Sequence, residues 1–527
     1  MRDLHLPGRS PVYAPNAAIA TSHPLATQAG LAVLKSGGNA ADAAVAACAV
    51  QCVVEPHMTG VGGDCFALVS PTGDTGIHAL NGSGVAPAKA ELGWFLDQGK
   101  TEFGLSGDPH SITVPGAIGA WAALLEKFGT RSLGELLQPA IAYARDGFAV
   151  TPRVGSDWAD AAHKLKENPA AAAALLKGGE APAIGARMSQ PALAKTLQII
   201  ADQGRDGFYT GAVAEDIVAS LNKLGGLHSL DDFANAAPEW VEPIKGGFAG
   251  HDVYECPPNG QGLCALMIMG ILDRHDLTSL SQADRVHLIA EATKLGYAER
   301  DRYIGDPRQV RVPVDAMLSA SHLDALNAMI DMDKAGSFAE SDFPTHKDTI
   351  YLACVDENGM AVSFINSLFS DFGSCIMSEN TGVLLHNRGR QFQLKEGHAN
   401  AIAPNKRPMH TIIPAMLVKD GQVVAPFGVM GGQFQSTGQS IFLSNLLVRG
   451  MDVQEALDDS RSFATEGTLQ VESTFEPATY AALEAKGHEL TRMPKPIGGG
   501  QAVVIDRANG MLIAGSDPRK DGMAAGY

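Results

Sequence analysis

The spacing of hydrophobic positions in this chain changes period several times, and each change predicts a change of element. From residue 24 to 36 apolar residues recur at helical spacing and stop at Gly37-Gly38; Asn39 then stands where it can cap a second helix running through Val54. The second stretch is apolar on nearly every side, which predicts an interior helix. Between 64 and 90 the pattern favours strands, Cys65 to Val69 and Gly76 to Leu80, parted by the turn cluster Pro71-Thr72-Gly73-Asp74. Helical spacing dominates from 116 to 225, with alanine-rich runs at 159–175 and 191–203. Strands return near 246–255, and helices fill 261–333. The polar, turn-rich stretch from Ala335 to Asp348 has the composition of a surface linker. Beyond it the chain is strand-rich, except for helical patterns near 437–448, 453–461 and 475–486. Helices, then sheets, then helices predict a layered α+β body.

The most regular local pattern follows the linker. Ile350 to Asp356 is rich in strand formers, Glu357-Asn358-Gly359 supplies turn chemistry, and Met360 to Asn366 forms a second strand. A three-residue loop centred on Asn358 sets Thr349 opposite Ser367, so two hydroxyls share the open end of a hairpin. A threonine hydroxyl is a poor nucleophile alone. Cleavage of the Asp348–Thr349 peptide would add an α-amine within reach of the same oxygen, and one residue would then hold both nucleophile and general base. On the hairpin alone, an ordinary strand threonine is the stronger account of Thr349.

Composition narrows the classes. At 527 residues the chain exceeds the usual single-domain size without a clean break, so one large core or two interlocked lobes are both allowed. Forty basic against 58 acidic residues give a net charge of −18, which argues against nucleic acid and anionic membrane surfaces as partners. The N-terminus lacks an apolar leader, and the longest apolar run, Ala40 to Val54, is broken by Asp42 and Gln51 and is too short to span lipid. A cytoplasmic location is expected. Seven cysteines, with no Cys-x-x-Cys pair, fit reduced and buried thiols. No Lys-Ser/Thr follows the glycine runs and no His-Glu-x-x-His helix occurs, so neither nucleotide, metal nor other cofactor is implied.

Taken in order, Gly37 to Ala43, Gly60-Val61-Gly62-Gly63-Asp64, Val114-Pro115-Gly116, Thr349 with its hairpin and Ser367, Phe372-Gly373-Ser374, Gly382 to Asn387, Gly431-Gly432 and Asp517-Pro518-Arg519 resemble the landmarks of the γ-glutamyltransferase family. That family is a branch of the N-terminal nucleophile hydrolases, and the resemblance runs almost end to end. It implies a four-layer αββα sandwich. It also implies a precursor that cuts itself between Asp348 and Thr349 into a large subunit (1–348) and a small subunit (349–527), which form one intertwined domain; a dimer of such heterodimers is one assembly it allows. Thr349 would be the nucleophile, Ser367 would fall on a threonine that hydrogen-bonds it, and the Gly431-Gly432 amides would form an oxyanion hole, which only glycine lets approach a reacting oxygen so closely.

The departures bear on substrate. Relatives that recognise a glutamyl group hold its α-carboxylate with an arginine at the position of Ser83, and its α-amino group with an acidic residue where this chain has Gln391, in His386-Asn387-Arg388-Gly389-Arg390-Gln391. The family's asparagine after Ser367 becomes Phe369, and its serine pair becomes His410-Thr411. Losing two such contacts removes about 1.5–3 kcal/mol apiece. Arg388 and His410 are new, and an arginine can fork onto the carboxylate of a smaller acid. Competing accounts are a structural ion pair for Arg388 and a hydrogen-bonded structural role for His410. The expected activity is hydrolysis of the amide of a small acid such as oxamate, through an acyl ester on Thr349. A γ-glutamyltransferase or glutathione hydrolase with altered contacts is the alternative, and an uncleaved binding module is the alternative from another class.

Overall fold

The computed structural model describes residues 8–337 and 349–527. Two seven-stranded antiparallel sheets form its centre. One runs Met523–Gly526, Ala18–Thr21, Ile350–Val355, Ala361–Ser367, Asp64–Ser70, His78–Gly82 and Glu239–Val241, so the two strands after Thr349 lie in its middle. The other runs Val12–Ala14, Met511–Ser516, Gly499–Asp506, Gln422–Met430, Ala415–Lys419, His251–Glu255 and Ile244–Phe248. Both sheets combine strands from before and after residue 349.

The sheets close on each other beneath the Thr349 hairpin. Gly428, in the second sheet, lies against the Tyr351 ring, and a Cβ there would meet the ring at 2.4 Å. Helices cover the outer faces. Pro24–Lys35 and Ala40–Val54 pack on the first sheet, and all fifteen residues of the latter are buried. Its start is the predicted one: Asn39 accepts the Asp42 N–H at 3.0 Å, while the Asp42 carboxylate accepts the Asn39 N–H at 3.0 Å. Gly262–Leu272 and Gln435–Leu443 pack on the second sheet, around a separate apolar cluster. Helix, sheet, sheet, helix is the four-layer order.

The hairpin register runs from Ile350 opposite Asn366 to Val355 opposite Ala361, which sets Thr349 against Ser367. Gly359, at φ +85°, makes the turn. Three boundaries differ from the sequence pattern. The second strand after residue 64 begins at His78, because Asp74 accepts the Gly76 N–H at 2.9 Å and prolongs the turn. Helices in the 261–333 region end at Asn327. The 453–461 helix stops at Asp458, and Ser462–Thr465 opens a three-stranded sheet with Thr468–Val471 and Leu490–Arg492. The linker predicted before Thr349 falls largely on residues 338–348, outside the described residues.

Candidate active site

Thr349 is fully buried at the head of its strand, and its Oγ1 lies 3.2 Å from Ser367 Oγ. Ser367 ends the partner strand. Its Oγ also accepts the Phe369 N–H at 2.9 Å and an Arg388 N–H, from Nη2, at 3.2 Å. Arg388 Nη1 donates to Thr411 Oγ1 at 2.8 Å. A continuous row therefore joins Thr349, Ser367, Arg388 and Thr411. Gln435, at the start of its helix, donates to Thr349 Oγ1 from 3.5 Å.

Arg388 is wholly enclosed, with its guanidinium 4.4 Å from the Phe369 ring centroid. Of its five N–H groups, two have the acceptors just named, and its Nε has no hydrogen-bond partner. Burial presses the guanidinium down to about 9, against the pull of Asp64. Asp64 is the counter-ion, 3.9 Å from Nε. Its Oδ1 accepts the Gly84 and Gly116 N–H groups at 3.0 and 3.2 Å, and its Oδ2 accepts from His410 Nε2 at 2.9 Å, with His386 Nδ1 3.4 Å away. Burial works against the Asp64 charge, but His386 and His410 outweigh it and hold the carboxyl well below the usual range. Burial, and then the Arg388 charge, hold His410 down to about 3, so this imidazole is neutral. The proton sits on Nε2, since Nδ1 accepts the Ile412 N–H at 3.4 Å.

Gly431 and Gly432 lie where the strand Gln422–Met430 turns into the helix from Gln435, with φ of +124° and +60°. Both angles are ones an L side chain rarely adopts. The turn is tied down from below: Gln261 Nε2 donates to the Gly432 carbonyl at 3.1 Å and to the Thr411 carbonyl at 2.8 Å, and Arg300 donates to Gln261 Oε1 at 3.1 Å. The glycine pair and the Thr349 row thus share one support.

The structure brings Thr349, Ser367, Arg388 and Thr411 into direct contact and joins His410 to them through Asp64. Asn387 serves the next loop instead, accepting the Ser370 N–H at 3.1 Å and donating to the Leu105 carbonyl at 2.9 Å. Ser83 accepts from Asn259 Nδ2 at 3.1 Å, one residue before the Gly84 N–H that holds Asp64. The Gln391 side chain is fully buried, and neither of its amide atoms has a hydrogen-bond partner. Asp348 lies outside the described residues. Asp64, Gln435 and Gln261 had been given no role. Asp64 left a usable signal, a lone carboxylate opening an otherwise apolar strand; the two glutamines left none. His287, Glu291 and His488 come close elsewhere, but Lys294 pairs with Glu291 at 2.6 Å and the two imidazoles are hydrogen-bonded to each other at 2.8 Å.

The chain is similar in sequence and fold to known proteins. The gamma-glutamyltranspeptidase family model matches residues 26–527. The chain is 36% identical over 519 residues to the glutathione hydrolase-like YwrD proenzyme of Bacillus subtilis (strain 168), across 96% of this chain and 98% of the relative. It is also 36% identical over 520 residues to the oxamate amidohydrolase proenzyme of Klebsiella pneumoniae, across 96% and 97%. The solved cephalosporin acylase from Bacillus halodurans superposes with a TM-score of 0.94 at 38% identity, covering 100% of this chain and 98% of that one.

Proposed function

Starting from a chain that belongs to the gamma-glutamyltranspeptidase family and is an N-terminal nucleophile hydrolase acting on carbon–nitrogen bonds, we propose that it is a self-processing threonine amidohydrolase whose acyl substrate is a small acid bearing a carboxylate, oxamate-like in size. The observation that carries this is the buried row from Thr349 Oγ1 through Ser367 to Arg388, with a 3.2 Å first step.

The precursor, like relatives named as proenzymes, first cuts its own Asp348–Thr349 bond. In the mature site the Thr349 oxygen attacks the amide carbonyl, and its proton passes by way of the freed α-amine to the departing amine, a shuttle worth about 10²- to 10⁴-fold. Ser367 steadies the attacking oxygen. The oxyanion is held on the Gly431 and Gly432 N–H groups, a contribution of about 3–4 kcal/mol per donor. Water then takes the acyl group from the ester and restores the hydroxyl.

Arg388 selects the acid. Its charge is buried, its nearest carboxylate is shared and 3.9 Å away, and it has N–H groups to spare. An incoming carboxylate would complete that charge pairing. Gln391 offers a neutral donor and acceptor in place of a carboxylate, which disfavours a substrate ammonium. A γ-glutamyl substrate is the second reading, favoured by the full-length similarity to a glutathione hydrolase-like proenzyme.

Mass spectrometry of purified protein tests the first step. Wild type should run as two pieces of about 36 and 18 kDa by chain length, and Thr349→Ala should stay whole and inactive. An intact wild-type chain would favour the binding module. Oxamate set against a γ-glutamyl anilide tests the second step: saturating turnover of the anilide at low concentration would replace the small-acid reading.

A further inference from the structure

The reading above assigns the acyl half of the substrate and leaves the amine half unplaced. A cavity of 380 Å³ is lined by Gly431 and by Asp371. It therefore touches the first glycine of the pair and the loop that leaves Ser367. Its volume suits a small organic group. Phe434, Phe463 and Met493 supply an apolar wall.

Among the described residues, three cations and four carboxylates line this cavity. Asp157 pairs with Arg153 at 2.6 Å and with Lys495 at 3.2 Å, and Lys495 also pairs with Asp160 at 2.5 Å. Lys520 adds a third cation to the wall, and Asp371 and Glu466 bring the carboxylates to one more than the cations. Among the described residues, the half-buried Asp371 carboxylate has no ion pair. Its loop is held in a costly shape. Phe369 and Phe372 have φ of +80° and +57°, the Ser370 N–H is fixed on Asn387 at 3.1 Å, and the Phe372 N–H on the His57 carbonyl at 2.9 Å. A strained, anchored loop that presents an unpaired carboxylate beside the reacting centre is arranged for a ligand.

We propose that this cavity receives the amine half of the scissile amide, and that Asp371 makes the enzyme prefer amines carrying a positively charged group. The inference rests on the amidohydrolase reading. The leaving amine departs on the Gly431 side, its apolar body lies against Phe434 and Phe463, and its cation meets Asp371.

Mature enzyme should be tested on amides that share one acyl group and differ in an amine half of matched size, cationic, neutral or anionic. The ratio of kcat/KM for the cationic over the neutral amide should be above one, and should fall about fivefold in Asp371→Asn, as for a partly exposed ion pair. In wild type the same ratio should shrink as salt is raised, a readout that needs no variant to fold. Turnover with a ratio that ignores amine charge, salt and Asp371→Asn would overturn this inference alone. A preference that instead follows the acyl group would assign the cavity to the other half of the substrate. No turnover of any amide by cleaved protein would sink both this proposal and the reading beneath it.

Discussion

The hairpin that carries Thr349 and Ser367 comes from one stretch of chain and one turn, whereas the pocket beside it is assembled from Asp64, Arg388 and the His410-Thr411 pair, with backbone N–H groups from Gly84 and Gly116. In the hairpin, register is a consequence of local spacing: a turn centred on Asn358 leaves one partner for Thr349. In the pocket, nothing local says that a carboxylate opening one strand will meet an arginine more than 300 residues later. The reactive pair is thus set by hydrogen-bonded strands, and the charged pair by tertiary packing that must first bury both partners. Chemistry and selectivity here have different kinds of support, and each should fail in its own way.

Removing the pocket's anchor tests this most severely. Asp64→Ala takes away the acceptor for two backbone N–H groups and His410 and leaves the Arg388 charge enclosed without its counter-ion, a loss of about 3–5 kcal/mol. The expected result is a large fall in the free energy of urea unfolding. Asp64→Asn keeps an oxygen for Gly84 and Gly116 and should fall less. If Asp64→Ala unfolds at the wild-type urea midpoint, the pocket is not held as described.

The same contrast explains what the sequence revealed. The hairpin, the capped interior helix after Asn39 and the glycine turn were legible because each depends on residues a few positions apart. The role of Gln261 was not, since a Gln before an apolar helix is compatible with many surroundings; Asp64 stood out as a carboxylate opening an apolar strand, but its partners lie too far along the chain to be read from it. For His410 the bland account fits well: it is a neutral, hydrogen-bonded imidazole on Asp64. For Arg388 the structure shows the ion pair with Asp64 and an Nε without a hydrogen-bond partner.

A smaller effect separates charge from shape. Arg388→Lys keeps a positive charge but cannot fork onto a carboxylate while also holding Ser367 and Thr411. The kcat/KM for carboxylate-bearing amides should drop about 10- to 100-fold, as for loss of a charge-assisted bond, and the drop should be greater than for matched neutral amides. Equal losses on neutral and carboxylate substrates would mean that Arg388 supports the hairpin rather than reading the acid.

The finest test concerns His410, whose neutral form the pocket enforces. Its ordinary value of 6.5 is lowered to about 3 in the folded chain. Between those values the unfolded chain binds a proton that the folded chain refuses, so stability rises with pH across this window. The contribution is fully present above 6.5 and is lost as pH falls toward 3. His23, His228 and His488 are lowered to about 4 and act in the same direction, but they remain in a His410→Gln variant and cancel from the difference. The stability of wild type relative to His410→Gln should therefore be flat above pH 6.5 and decline by about 1 kcal/mol from pH 7.5 to 5.5. Urea unfolding of both proteins at the two pH values measures it. A constant difference would mean that His410 takes a proton as readily in the folded pocket as in the open chain, and the enclosure of the charged pair would then be incomplete.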